Sequence, residues 1–145
     1  MSVLSITRLR LKSYGYLAQF LIHNEKILDQ IRKSEGFIKG KEVAAFDLSM
    51  WTCTLWKSDG LLRSFYLNGA HQKAMLNIDR WSSEAATVHQ EADCFDLPSC
   101  RQMVNSLEKN GHFTKLTDPS ENHCQRVIRI PYFKITRLIN ARDRA

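Results

Sequence analysis

The pattern of apolar and polar positions along this chain switches several times between a period of two and a period of three to four, and each switch marks an element. Val3 to Lys12 alternates through Val3, Leu4, Ile6, Thr7, Leu9 and Leu11, which predicts a strand. Ser13 can cap a helix, and Leu17, Phe20, Leu21, Ile27, Leu28 and Ile31 then recur at helical steps, leaving Gln19, Glu25, Lys26, Gln30 and Lys33 to water. Gly36 supplies a C-terminal stop. Phe37 to Asp47 and Met50 to Lys57 are strand-like runs joined at Leu48-Ser49, which reads as a hairpin. In the second run Trp51, Cys53 and Leu55 share one face and Thr52, Thr54 and Trp56 the other. Bulky residues on both faces imply that both are covered, one by helices and the other by a partner subunit.

Ser58 or Asp59 opens a second helical region with Leu61, Leu62, Phe65 and Tyr66, broken at Asn68-Gly69 and resumed through Ala74, Met75, Ile78 and Trp81. Ala86 to Ala92 alternates again as a fourth strand. The order strand, helix, strand, strand, helix, strand predicts an α+β fold, the ferredoxin-like split βαβ with an antiparallel sheet and helices on one face. Beyond it, Ser99 and Gln102 carry a capping-box signature ahead of Met103, Val104 and Leu107, and Asn110-Gly111 ends that helix. Thr117-Asp118-Pro119-Ser120 reads as a turn, and Arg126 to Ile130 as an edge strand stopped by Pro131. The chain after Phe133 reads as a short basic helix or a disordered end. Residues 1–145 then form one domain, with a core at 3–92, an extension at 93–134 and a basic tail at 135–145.

Composition narrows the function classes. With 145 residues, 43% hydrophobic and 25% charged, the chain can bury a core without disulfides or structural metal. No stretch approaches a membrane span, because charges interrupt the first strand and the first helix, so a soluble cytoplasmic protein with no membrane partner is expected. The net charge of +6 is concentrated at one end, where from Arg126 onward six cations face Asp143 alone. Such an end is more often solvated, or a docking strand, than a nucleic-acid arm. RNA recognition also uses this strand order, but the third strand lacks the basic, glycine and stacking-aromatic signature, and no nucleic-acid partner is expected.

Cys53, Cys94, Cys100 and Cys124 show no paired short spacing, which removes the zinc-ribbon and Cys-x-x-Cys readings. His89, Cys94, Cys100, His123 and Cys124 are metal-ligand types without metal-ligand spacing, so no metal site is expected. Neither a glycine-rich nucleotide loop nor a Gly-x-Ser-x-Gly elbow occurs. What remains is Met50 to His71, an aromatic-rich strand followed by a helix that breaks and restarts beside a histidine. His71 lies near the start of the resumed helix, where unpaired backbone N–H groups favour a neutral imidazole. That imidazole can act as a base, orient a ligand or bind a metal, or it can simply cap the break or bond a backbone carbonyl. His89, on the fourth strand, can share a cavity with it if it points to the helix side. Trp51, Trp56, Phe65, Tyr66 and Trp81 can line a flat apolar pocket for an aromatic or polyene ligand, or can be core. Tyr66 and Asn68 are polar groups able to orient a ligand, and Glu91 can pair with a histidine or stay solvated.

Trp51, Leu55-Trp56-Lys57-Ser58, Phe65, Gly69-Ala70-His71, Ala74-Met75, Trp81 and His89 together resemble the signature of the dimeric α+β barrel superfamily. The nearest branch holds uncharacterised relatives of spheroidene monooxygenase and of the antibiotic-biosynthesis monooxygenases. Leu97-Pro98-Ser99, Gly111, and Pro119-Ser120 with His123 extend the likeness over the stretch Val3 to Lys134. The resemblance implies a ferredoxin-like protomer that pairs its sheet with that of a second subunit, a homodimer, with a ligand cavity between sheet and helices in each. Function in the superfamily ranges over cofactor-free oxygenases of polycyclic aromatics, haem-dependent enzymes, isomerases and members without demonstrated chemistry. The expectation is a monooxygenase-like oxidoreductase for a small apolar or aromatic molecule, using either no cofactor or haem. His71 would be its base or ligand-orienting group, with His89 beside it. The alternative is a non-enzymatic ligand-binding or accessory protein with the same cavity.

Overall fold

The alternation at the start of the chain becomes β1 (Ser2–Leu11) in a computed structural model that describes residues 2–92 and 96–142. The Ser13 hydroxyl accepts the Gly15 N–H and opens a short 3-10 turn that runs into α1 (Leu17–Lys33). Phe20, Leu28 and Ile31 form the buried stripe of that helix, while Leu21 is exposed. Gly36 then reverses the chain with φ 86°, where an added Cβ would stand 2.5 Å from Leu61 Cδ1. β2 (Phe37–Ala45) and β3 (Ser49–Trp56) form the expected hairpin. Its turn is held by Asp47, whose carboxylate accepts from both the N–H and the hydroxyl of Ser49.

The second helical region comes in three pieces, α2 (Asp59–Tyr66), α3 (Gly69–Met75) and α4 (Ile78–Trp81), the first capped by the Ser58 hydroxyl. β4 (Ser82–Ala92) starts at Ser82 rather than Ala86. Ser82 to Ala85 is poor in β-forming residues, yet tertiary pairing with Leu9 to Leu11 overrides that preference. Next come α5 (Cys100–Asn110), the two-residue β5 (His112–Phe113), α6 (Glu121–Cys124) and β6 (Lys134–Asn140). Both bonds of the Ser99/Gln102 capping box are made. The strands form one antiparallel sheet in the order β5-β4-β1-β3-β2-β6, whose inner four have the ferredoxin-like order. Among the described residues no helix is long and apolar enough to cross a membrane.

Two expectations for the C-terminal end give way. Arg126 to Ile130 is not an edge strand: Arg126 takes φ 58°, and Ile128 drops into the core with its N–H on the Glu108 carboxylate. The chain after Phe133 is neither a basic helix nor a disordered tail as far as Asn140, but a strand in register with β2 from Ala45↔Lys134 to Lys39↔Asn140. Ile139, opposite Gly40, is fully buried. Two of the cations there are paired, Arg137 with Glu25 and Glu42 and Arg142 with Asp29. Neither a clean alternation nor a helical stripe marks this stretch, so its strand character comes from the edge that β2 offers.

Each face of the sheet has its own cover. Leu4, Ile6, Trp51, Cys53, Leu55 and Val88 meet Met103, Val104 and Leu107 of α5, together with Ile128. The cover expected there is a second subunit; the chain supplies it itself. The opposite face carries two apolar clusters under the other helices. One gathers Leu9, Phe20, Ala74, Ile78 and Trp81, the other Leu28, Ile31, Trp56, Leu62 and Phe65.

On the α5 side the sheet also buries an ion pair, Arg8 to Glu84 at 2.8 Å, with side chains 3% and 4% exposed. Arg8 lies over the Trp51 ring, 5.1 Å from its centroid, and the Ser120 hydroxyl donates to the second Glu84 oxygen at 3.0 Å. Burial pushes the Glu84 carboxyl up, but Arg8, Ser120 and Arg10 outweigh it and hold the group below its ordinary value. Removing one partner strands the other charge in the interior. Glu84→Gln is therefore expected to cost about 3–5 kcal/mol of unfolding free energy, and the Arg8→Met/Glu84→Leu pair to recover most of it. Denaturant titrations of the three proteins check this; a single-variant loss no larger than that of an exposed pair would refute it.

Candidate functional site

Between the sheet and α1–α4 lies a cavity of about 470 Å³. Its floor is set by strand register. Ser5 and Thr7 of β1 stand beside Thr54 and Thr52 of β3, and beside His89 and Thr87 of β4. Side chains at these alternate positions share one face, so the floor is a patch of hydroxyls. Thr7 and Thr87 hydroxyls are 3.2 Å apart, and Thr54 accepts the Trp56 indole N–H at 2.8 Å. The roof is apolar, with Phe20, Ile27, Leu62, Phe65, Ile78 and Trp81. A ligand held here meets hydrogen-bonding groups below and apolar surface above.

His71 enters through the helix break. α3 starts at Gly69 with φ 63°, a conformation that favours glycine. The backbone groups freed by the break are taken up by Gln30 of α1. Its amide nitrogen donates to the carbonyls of Phe65 and Asn68 at 3.0 and 2.9 Å, and its oxygen accepts the His71 N–H at 2.9 Å. The His71 ring bonds the Tyr66 carbonyl through Nδ1 at 3.1 Å. A carbonyl only accepts, so the neutral ring carries its proton on Nδ1 and keeps a free lone pair on Nε2. Burial pulls the His71 pKa below the ordinary 6.5, and His89 adds to this; the Tyr66 carbonyl works the other way.

His89 also lines the cavity, exposed on its rim, with its ring centroid 5.4 Å from that of Tyr66. Partial burial lowers its pKa too, against the pull of Asp59. Phe65, Tyr66 and Trp81 line the cavity. The Trp81 indole N–H is held by Gln19 at 2.9 Å. Trp56 does not reach the cavity lining. It is fully buried behind Phe65, on which it stacks at 5.1 Å between centroids. Trp51 stands on the opposite face under α5, because strand alternation separates it from Thr52 and Thr54. Asn68 turns its side-chain amide to the Ser64 carbonyl, and Glu91 is exposed.

The hydroxyl floor, Asn24 and the Gln30 clamp were not among the sequence candidates. The floor had a signal, since Ser5 and Thr7, and Thr52 and Thr54, repeat at period two, with Arg8 the one neighbour that is not apolar. Asn24 and Gln30 had none, being polar residues on the water-facing part of a helical pattern. Among the described residues the metal-ligand types do not converge. His123 accepts the Ala85 N–H and bonds the Thr114 carbonyl, Cys53 is buried with its thiol pushed up to about 12, and Cys94 lies outside the described residues. Among the described residues no group of three or more His, Cys, Asp or Glu side chains is placed to hold a metal ion.

No protein-family model and no curated protein matches the chain, but solved structures do. A Mycobacterium tuberculosis protein superposes with a TM-score of 0.58 at 10% identity, over 66% of this chain and 100% of its own. A conserved protein from Methanosarcina mazei gives 0.57 at 10% identity, over 64% and 94%. SnoaB, a cofactor-independent oxygenase from Streptomyces nogalater, gives 0.54 at 14% identity, over 68% and 98%. At these identities the likeness is one of fold.

Replacing Gln30 by Leu takes its partner from the His71 N–H and one of the hydrogen bonds from each of the Phe65 and Asn68 carbonyls, and a loss of about 1–3 kcal/mol is expected in thermal or denaturant unfolding. A loss below a few tenths would show that water replaces the clamp freely. The histidines give a pH signature. Because both are harder to protonate folded than unfolded, the stability they contribute is complete above pH 6.5 and is lost as pH falls below it. Unfolding free energies measured at about pH 7.5 and about pH 5.5 should differ less in His71→Gln than in the parent. An equal difference would place the titration elsewhere.

Proposed function

We propose, starting from the dimeric α+β barrel fold that this chain shares with SnoaB, that the protein is a monooxygenase-like oxidoreductase acting on a small apolar or aromatic molecule in the cavity between sheet and helices. The observation that carries the reading is the His71 tautomer: Nδ1–H tied to the Tyr66 carbonyl, Nε2 left as an acceptor on a residue of the cavity wall. A neutral, oriented imidazole beside an apolar roof suits removal of a proton from a phenolic hydroxyl, with His89 on the rim to relay it to water. The resulting phenolate is electron-rich enough to react with dioxygen. One oxygen atom enters the ring and the other leaves as water, so that phenol and O2 give quinone and water with no outside reductant.

Haem is the other cofactor state compatible with the resemblance, and the lining fits it poorly. His71 Nε2 is the donor that would hold the iron of such a group. Haem also carries two propionates, and the one Arg or Lys among the lining residues, Arg8, is already tied to Glu84. A homodimer remains part of the proposal, yet it cannot use the sheet face under α5 without displacing that helix. One sheet boundary open to such pairing is the outer edge of β6, beside the exposed rings of Phe46, Tyr132 and Phe133.

Oxygen uptake and quinone absorbance, measured with 1-naphthol and larger polycyclic phenols, test the reading. Turnover is expected in the parent, and His71→Ala should lower kcat by about 10²–10⁴ while retaining bound phenol. Binding of the phenols with no oxygen uptake would leave the non-enzymatic ligand-binding function in its place.

A further inference from the structure

Next to the main cavity is a smaller one of about 290 Å³, between α1 and the strands β2, β3 and β6. The two share Phe20 and Asn24 of α1 and Met50 and Thr52 of β3, so Asn24 stands on the wall where they meet. Its side chain is not free to choose an orientation. Asn24 Nδ2 donates to Glu42 Oε2 at 3.0 Å. The other Glu42 oxygen accepts from Arg137 Nε at 2.7 Å, and Arg137 Nη2 reaches Glu25 Oε1 at 2.8 Å. An ionised carboxylate only accepts hydrogen bonds, so the amide nitrogen must face Glu42 and the amide oxygen must face away. Asn24 Oδ1 then has no protein partner among the described residues.

We infer that Asn24 Oδ1 recognises a hydrogen-bond donor, a hydroxyl or N–H, on the end of the ligand that lies toward β6. Asn24 is thus a specificity-determining residue of the cavity, and Glu42 and Arg137 are its positioning residues. The inference rests on the cavity being a ligand site and adds a chemical class to it: apolar ring compounds bearing a hydroxyl or N–H at that end. Ethers and ketones there would set acceptor against acceptor. A fixed, part-buried acceptor discriminates well, because an analogue without the donor leaves it unpaired. The chain of contacts also ties ligand choice to β6, where Arg137 sits.

The probes are 2,6-dihydroxynaphthalene and 6-methoxy-2-naphthol, which both keep one hydroxyl for His71 and differ by a methyl group on the other oxygen, with dissociation constants taken by calorimetry in the absence of oxygen. The parent protein should bind the diol about tenfold tighter. Asn24→Leu should bring the two constants together, mainly by weakening the diol, while binding of the methoxy compound persists and shows that the cavity is intact. Arg137→Met should lose most of the preference with Asn24 unchanged, and Arg137→Lys should restore it, which a purely structural role of β6 would not produce. Equal binding of both probes by the parent, or a preference that survives Asn24→Leu, overturns the inference and leaves the cavity reading standing. Binding of neither probe overturns both.

Discussion

Everything in this molecule depends on a central sheet that is buried on both faces under unlike covers. The two-residue period of β1, β3 and β4 sorts Leu4, Ile6, Trp51, Cys53 and Val88 to one side, and Ser5, Thr7, Thr52, Thr54, Thr87 and His89 to the other. The first set closes against α5. The second set cannot close in the same way, because its hydroxyls require partners that apolar helices do not offer. The helices rest instead on two aromatic-rich clusters, one around Phe20 and Trp81 and one around Trp56 and Phe65. The cavity is the gap spanned between those supports.

The same division explains why the break in the second helical region is tolerated. A helix interrupted at Asn68-Gly69 exposes carbonyls and N–H groups beside an apolar roof, a costly arrangement unless something bonds them. Gln30, from the helix packed alongside, bonds three of them with one side chain and thereby sets the position of His71. The ring of His71 completes the junction through the Tyr66 carbonyl, and that contact decides which nitrogen remains available. Structural support and chemical competence are here the same set of hydrogen bonds.

The segment after β4 changes the meaning of the fold. Its helix α5 seals the face that the superfamily resemblance assigns to a second subunit, and β6 extends the sheet on the far side, where Arg137 fixes Glu42. The solved structures that share this fold are matched over nearly all their length and leave part of this chain without a counterpart. Likeness in the shared portion therefore says little about what the additional portion does to the site.

Where one element buries one clean face, the sequence alone was sufficient: β1, α1, the β2–β3 hairpin, the capped α5 and the break before His71 all follow from periodicity, caps and turn residues. His71, His89, Phe65, Tyr66 and Trp81, for which the sequence leaves cavity and structural roles open, line the cavity. Trp51 and Trp56 show its limit, since an aromatic strand residue looks the same whether it faces a cavity or a dry core. Only the tertiary structure decided that α5 covers the Trp51 face, that Lys134–Asn140 is a strand, and that Asn24 and Gln30 turn inward. The physical reason is common to all four. Their roles come from partners distant in the chain, such as Glu42 for Asn24 or Gly40 opposite Ile139, and local pattern carries no record of a partner brought close only by folding.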